Sequence, residues 1–194
     1  MFTLSTYKRG ALAVTMAATL FGTTATLDAS VIEFVTTFAP EAVGATGEGR
    51  ATVLFDTEAQ TLTLDADFSG LTGTTSVAHI HCCTALAGTG TAGVAVTPGT
   101  LPDFPVGVTA GTYFRVLDLA SAATYTAGFR GLLTPEEASA KLLAGMLTGN
   151  SYFNIHTSRF PGGEIRGFLQ VPEPGTMALL GAALAGLALR RRRQ

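Results

Sequence analysis

The chain has 194 residues, 47% of them hydrophobic and 13% charged, with a formal net charge of −2. Half of its basic residues (Lys8, Arg9 and Arg190 to Arg193) lie close to the two ends, so residues 30–172 carry six basic residues against twelve acids, a formal charge of −6. An acidic body with no basic patch excludes nucleic acid and an anionic membrane surface as natural partners, and it suits cations or a neutral polysaccharide.

The first segment reads as an export signal. Lys8 and Arg9 precede an apolar stretch over residues 10–21, and small residues follow through Thr23, Thr24 and Ala25. A basic start, an apolar middle and a small-residue exit describe a secretory signal peptide over residues 1–29, with cleavage after Ala25 or Ala29. The alternative is an N-terminal membrane helix, but the apolar run is shorter than a good span.

Between the two ends, 143 residues suffice for one domain with its own core. Residues 51–56 and 61–68 alternate apolar and polar side chains, which predicts two strands joined by a polar turn over 56–60. Leu62, Leu64, Ala66 and Phe68 share one face at period two. Residues 77–81 and 113–119 are further candidate strands. Residues 88–111, with Pro98, Pro102 and Pro105, read as a long irregular excursion of the kind that is often functional or mobile.

One helix is predicted before the last hairpin. Thr134 caps it, Pro135 fits its first turn and Glu137 completes a capping box. Ala138, Leu142 and Met146, with Leu143 and Leu147, form an apolar stripe at helical spacing, and Gly149-Asn150 ends it. Strands over 151–157 and 164–170 follow, joined through Phe160-Pro161-Gly162-Gly163, a sequence suited to a turn with positive φ. Strands in series with short turns and one short helix predict a mainly β domain, an antiparallel β-sandwich.

The tail is an address. Val171-Pro172-Glu173-Pro174-Gly175 precedes an uncharged run over residues 176–189, and Arg190, Arg191, Arg192 and Arg193 follow. The run is short for a span, but arginine stems can snorkel out of the apolar layer and keep this end cytoplasmic. Pro172 and Pro174 stop the helix from continuing backwards and leave the preceding segment extended for a processing enzyme. A C-terminal core helix is the other reading, though four consecutive arginines make poor core material. Pro172-Glu173-Pro174, the apolar helix and the arginine cluster, in that order, resemble the PEP-CTERM sorting signal of Gram-negative bacteria. The resemblance implies export across the inner membrane and transient anchoring by this helix. It also implies removal of the tail by an exosortase-type membrane protease and a final place at the cell surface or in the extracellular matrix.

The body carries a second resemblance. Ala78-His79-Ile80-His81, Asn154-Ile155-His156-Thr157 and Phe160-Pro161-Gly162-Gly163-Glu164-Ile165-Arg166-Gly167 resemble the signature blocks of the CHRD domain, first described in chordin. Segments 44–53 and 68–73 and the predicted helix also fit, so the likeness covers residues 30–170. It implies a β-sandwich-like domain, immunoglobulin-like or Cu,Zn-superoxide-dismutase-like, with no established enzymatic activity. The chain departs from the family around 34–43 and at Cys82-Cys83, where many bacterial members have a glycine.

All three histidines of the chain, His79, His81 and His156, fall in these blocks. On a strand, His79 and His81 point to one face with Ile80 toward the core, and Asn154 and His156 likewise share a face. If the two strands are neighbours, three imidazoles converge, and such a set holds copper or zinc. The plainer reading has these histidines bonding backbone and carboxylates to lock strand ends, with Glu164 and Arg166 as partners of the histidines or of each other. Cys82 and Cys83 are the only cysteines. They can form a vicinal disulfide, add soft copper ligands beside His81, stay as structural free thiols, or pair between chains.

Enzyme signatures are sparse. Ser158 lies near His156 without a nucleophile elbow around it. Asp65 and Asp67 share a strand face, and Tyr113, Tyr125 and Tyr152 are the available sugar platforms in a chain without tryptophan. The primary expectation is therefore a non-enzymatic surface protein with a structural or interaction role in a matrix or biofilm, meeting exopolysaccharide or surface proteins. An exported copper- or zinc-binding protein is the alternative, and a metal-dependent redox enzyme the second alternative.

Overall fold

The computed structural model describes residues 30–173. The expected signal peptide, Pro174, the apolar tail and Arg190 to Arg193 lie outside the described residues. The strands are β1 Val31–Pro40, β2 Glu48–Asp56, β3 Thr61–Ser69, β4 Thr75–Cys82, β5 Val94–Val96, β6 Gly111–Asp118, β7 Ser151–Thr157 and β8 Ile165–Phe168. Two helices, α1 Ala127–Arg130 and α2 Pro135–Leu147, fall between β6 and β7.

All strand pairings are antiparallel, and the eight strands follow the order β5-β4-β7-β8-β1-β2-β3-β6. β1 is the seam. Its residues from Val31 to Phe38 pair with β2, while Ala39 and Pro40 pair with Arg166 and Ile165 of β8. The sheet curls at this seam, so its two halves share one core, as in a β-sandwich. Phe38 of β1 meets Phe153 of β7 edge-on at 5.2 Å between ring centroids. Around that contact, Phe34, Val53, Phe55, Leu62 and Leu64 come from one half and Ala78, Ile80, Ile155 and Ile165 from the other, all buried. Each such side chain contributes about 1.5–3 kcal/mol by leaving water.

Most predicted elements stand where the alternation placed them. The turn after β2 is fixed by Asp56, whose carboxylate accepts from the Glu58 and Ala59 N–H groups at 2.9 Å each. The capping box is present: Thr134 accepts from the Glu137 N–H at 3.2 Å, and Glu137 returns a bond from the Thr134 N–H at 2.8 Å. Gly163 adopts φ +127°, as the turn before β8 requires. β1, α1 and a 3-10 turn over Ala122–Thr124 are not among the predicted elements, so the single expected helix is accompanied by two shorter ones, and three further details differ. Leu147 is 52% exposed, so the buried stripe of α2 is Ala138, Leu142 and Met146. The excursion over 88–111 contains a short strand, β5, that pairs with β4. The last strand is also shorter than expected, ending at Phe168.

No helix among the described residues is long and apolar enough to cross a membrane. Val171, Pro172 and Glu173 are exposed and outside any strand or helix.

Candidate metal centre

β4 and β7 are direct neighbours, with Val77 opposite His156, His79 opposite Asn154 and His81 opposite Tyr152. Residues opposite one another across an antiparallel pair project to the same side. The register therefore puts all three histidines on one face, away from Ala78, Ile80, Phe153 and Ile155 in the core. The ring centroids lie 5.2 Å (His79–His156), 5.6 Å (His79–His81) and 5.9 Å (His81–His156) apart. One ligand atom from each lies within 4.8 Å of the other two.

Each ring is held by a backbone carbonyl. His79 Nε2 lies 2.7 Å from the Gly99 oxygen, His81 Nδ1 2.9 Å from that of Ala92, and His156 Nδ1 2.9 Å from that of Pro161. A carbonyl oxygen can only accept, so the ring nitrogen facing it carries the proton. In the neutral rings this leaves lone pairs on His79 Nδ1, His81 Nε2 and His156 Nε2. The first and last of these face each other at 3.4 Å, and His81 Nε2 is buried without a partner. Two lone pairs cannot bond to each other; a cation between them resolves the contact. Metal at about 2.0–2.1 Å from each donor needs nitrogens roughly 3.3–3.6 Å apart, so one pair is already in place. Ring nitrogens anchored to carbonyls behind the donor atom are the usual outer support of histidine metal ligands.

Two of these rings, His81 and His79, resist protonation. Burial pushes the His81 pKa down to about 4; the Ala92 carbonyl opposes this, while His79, His156 and Arg166 add to it. His79 is lowered for the same first reason, with the Gly99 carbonyl opposing and His156 reinforcing. The three side chains are only 7–8% exposed. The loops carrying Ala92, Gly99 and Pro161 close over them, so the long excursion after β4 serves as a clamp on the site.

Around the histidines lies an aromatic and cationic border that sequence reading did not single out as a unit. Tyr152 stacks on His81 with centroids 4.7 Å apart and planes 6° from parallel, and its hydroxyl donates to the Ala92 carbonyl. Arg166 covers the Tyr152 ring at 5.0 Å, donates to the Gly90 carbonyl at 2.8 Å and pairs with Glu41 at 3.3 Å. Asn154, opposite His79, keeps a buried side-chain oxygen without a partner.

Neither Glu164 nor Arg166 is a partner of the histidines, and the cysteines are not soft ligands beside them, whereas the vicinal disulfide among the alternatives is found. Glu164 and Arg166 do not pair with each other either. Glu164 is fully buried and accepts from Thr157 Oγ1 at 2.7 Å, from the Gly73 N–H at 3.1 Å and from the Thr72 N–H. Cys82 and Cys83 are joined to each other as a disulfide across a cis peptide. Cys82 belongs to the core face, and both sulfurs lie against Gly145 of α2, so neither joins the donors that converge at the histidines. A Cβ at Gly145 would overlap both sulfurs, which is why this helix position carries none.

The other candidates lie apart from the histidines. Ser158 Oγ contacts the Thr74 hydroxyl at 3.2 Å, and the His156 donor nitrogen faces His79 instead. Asp67 pairs with Arg50 at 2.8 Å on the opposite half of the sheet. Tyr113, Tyr125 and Tyr152 are all buried and present no exposed platform to a sugar. The Tyr113 and Tyr125 hydroxyls donate to the Pro102 and Leu119 carbonyls, and burial raises both pKa values to about 12.

The histidine blocks, the helix before the last hairpin and the Gly163 turn all occur within residues that match the CHRD domain model, 23–169. The chain belongs to the CHRD domain family. Residues 170–193 match the PEP-CTERM protein-sorting motif. The CHRD domain thus ends where the sorting motif begins, and that motif implies export, membrane-anchored sorting to the cell surface and processing by an exosortase membrane protein. No curated protein and no solved structure matches the chain.

Proposed function

We propose that this CHRD domain is a non-enzymatic, surface-sorted metal-binding module that holds one copper or zinc ion through His79, His81 and His156. The observation that carries this reading is the common arrangement of the three rings. Each gives its N–H to a backbone carbonyl, which leaves three lone pairs turned toward one another in a nearly buried site. Rings that only locked strand ends would have no need to share a center. In this reading the metal supports a structural or interaction role in a surface matrix or biofilm, and the body's formal charge of −6 favours the approach of cations.

Elemental analysis of the protein recovered from metal-supplemented exporting cells tests the proposal, beside His79→Ala, His156→Ala and a Cys82→Ser/Cys83→Ser variant. The expected result is about one metal per chain in the wild type, loss in both histidine variants and retention in the cysteine variant. Metal-free wild type, with histidine variants as stable as it is, would overturn the assignment. Superoxide dismutation by the loaded protein at background rate is expected for the non-enzymatic role; turnover above it would move the domain to the redox class.

A further inference from the structure

The donor set of this site carries no negative charge. Its three ligands are neutral imidazoles, and among the described residues no carboxylate or thiolate joins them. Glu164 is held by Thr72, Gly73 and Thr157, Glu41 pairs with Arg166 through Oε1 and keeps Oε2 buried without a partner, and the cysteine sulfurs are bonded to each other. Arg166 lies over Tyr152, which stacks on His81, and Glu41 pairs with that guanidinium at 3.3 Å. We infer that the ion selected here is copper(I), held by three neutral nitrogens, and that Arg166 is a specificity-determining residue that disfavours dications. The inference rests on the metal-binding reading of the same histidines.

Charge and coordination number lead to the same ion. With side chains 7–8% exposed, the site is shielded from water, and an uncompensated charge there is expensive. Three neutral donors leave both charges of a dication uncompensated; copper(I) leaves one. Zinc takes four ligands, filling the fourth position with water or hydroxide where the protein supplies three. Copper(II) favours a tetragonal arrangement, which three converging rings do not complete. Copper(I) is a closed-shell d10 ion content with three nitrogens in a plane. The carbonyl dipoles of Gly99, Ala92 and Pro161, acting through the rings, suit a single positive charge.

The experiment uses the processed protein from exporting cells, under anaerobic conditions in chloride-free buffer at neutral pH. Copper(I) is titrated in competition with a chromophoric copper(I) chelator and zinc(II) with a chromophoric zinc chelator, and X-ray absorption counts the ligands of bound copper. The expected result is one copper(I) with three nitrogen neighbours and an affinity at least about 100-fold above that for zinc(II). Arg166→Gln should narrow that gap about fivefold by strengthening zinc, and Arg166→Lys, which keeps the charge, should preserve it. Zinc bound as tightly as copper(I), or a fourth ligand on copper, overturns this inference and leaves the metal-binding reading standing. Equal narrowing in both Arg166 variants overturns the role given to its charge. A wild type that retains neither ion overturns both readings.

Discussion

Replacing Glu164 with glutamine tests how the loop after β3 is fastened to the hairpin that carries His156. The carboxylate is fully buried, and both of its oxygens are used: one accepts from the Thr72 N–H, the other from the Gly73 N–H and the Thr157 hydroxyl. Glutamine keeps the shape but turns an NH2 group toward at least one of these donors. Hydrogen bonds to a charged group contribute about 1.5–3 kcal/mol each, and a donor facing a donor forfeits its bond outright. Losing one such bond and weakening the rest gives an expected cost of about 3 kcal/mol at pH 7. Burial alone would raise the Glu164 pKa, yet the Thr157 hydroxyl and the two N–H groups outweigh it and hold it below the ordinary value of 4.5. A depressed folded pKa means the stabilisation is complete above the unfolded pKa and is lost as the pH falls through the folded one. Urea unfolding of wild type and Glu164→Gln between pH 7 and pH 3 should therefore show a gap that is constant at neutral pH and closes below about 4.5. A gap under about 0.5 kcal/mol at pH 7, or one that does not change with pH, would refute this account of the carboxylate.

Two further outcomes follow from the same geometry. Gly145→Ala should cost about 1–3 kcal/mol in thermal or urea unfolding, because its Cβ lands on both sulfurs of the disulfide; most of that cost should vanish in a Cys82→Ser/Cys83→Ser background, and an equal cost in both backgrounds would place the strain elsewhere. For the metal-free domain, His81 is neutral in the folded state down to about pH 4 while the unfolded chain protonates near 6.5, so stability should fall as the pH drops between those values, by about 2–3 kcal/mol; His81→Gln should flatten the profile in that window, and an unaltered profile would contradict the burial of this ring.

The parts of this molecule that were readable in advance are those where one residue's neighbours in sequence decide its surroundings. Leu62, Leu64, Ala66 and Phe68 announce a half-buried strand by alternation, and Thr134, Pro135 and Glu137 announce a helix start by spacing alone. His79 and His81 flank Ile80 and so declared a shared face before any partner strand was known. β5 was not legible, because three residues among glycines and prolines become a strand only by pairing with β4. Nor were the groups that orient the histidines: Gly99, Ala92 and Pro161 act through carbonyls, which every residue possesses. Nor was the pairing of Arg166 with Glu41, a residue brought beside it by the seam between β1 and β8.

That seam also fastens the end of the domain, where the sorting motif begins. Leu169 is buried, and Gln170 exchanges two backbone hydrogen bonds with Val35, at 2.8 and 3.0 Å. These contacts tie the end of the domain to the middle of β1. Beyond them Val171, Pro172 and Glu173 are exposed, and none of them touches the histidines through a hydrogen bond or an ion pair. Processing within the sorting motif beyond Glu173 leaves all of these described residues in the chain. The clamp on the histidines comes from the β4–β6 excursion and the β7–β8 turn, both internal to the domain. A domain cut beyond Glu173 keeps every described contact that fixes the three rings, because the carbonyls of Ala92, Gly99 and Pro161 all lie inside it.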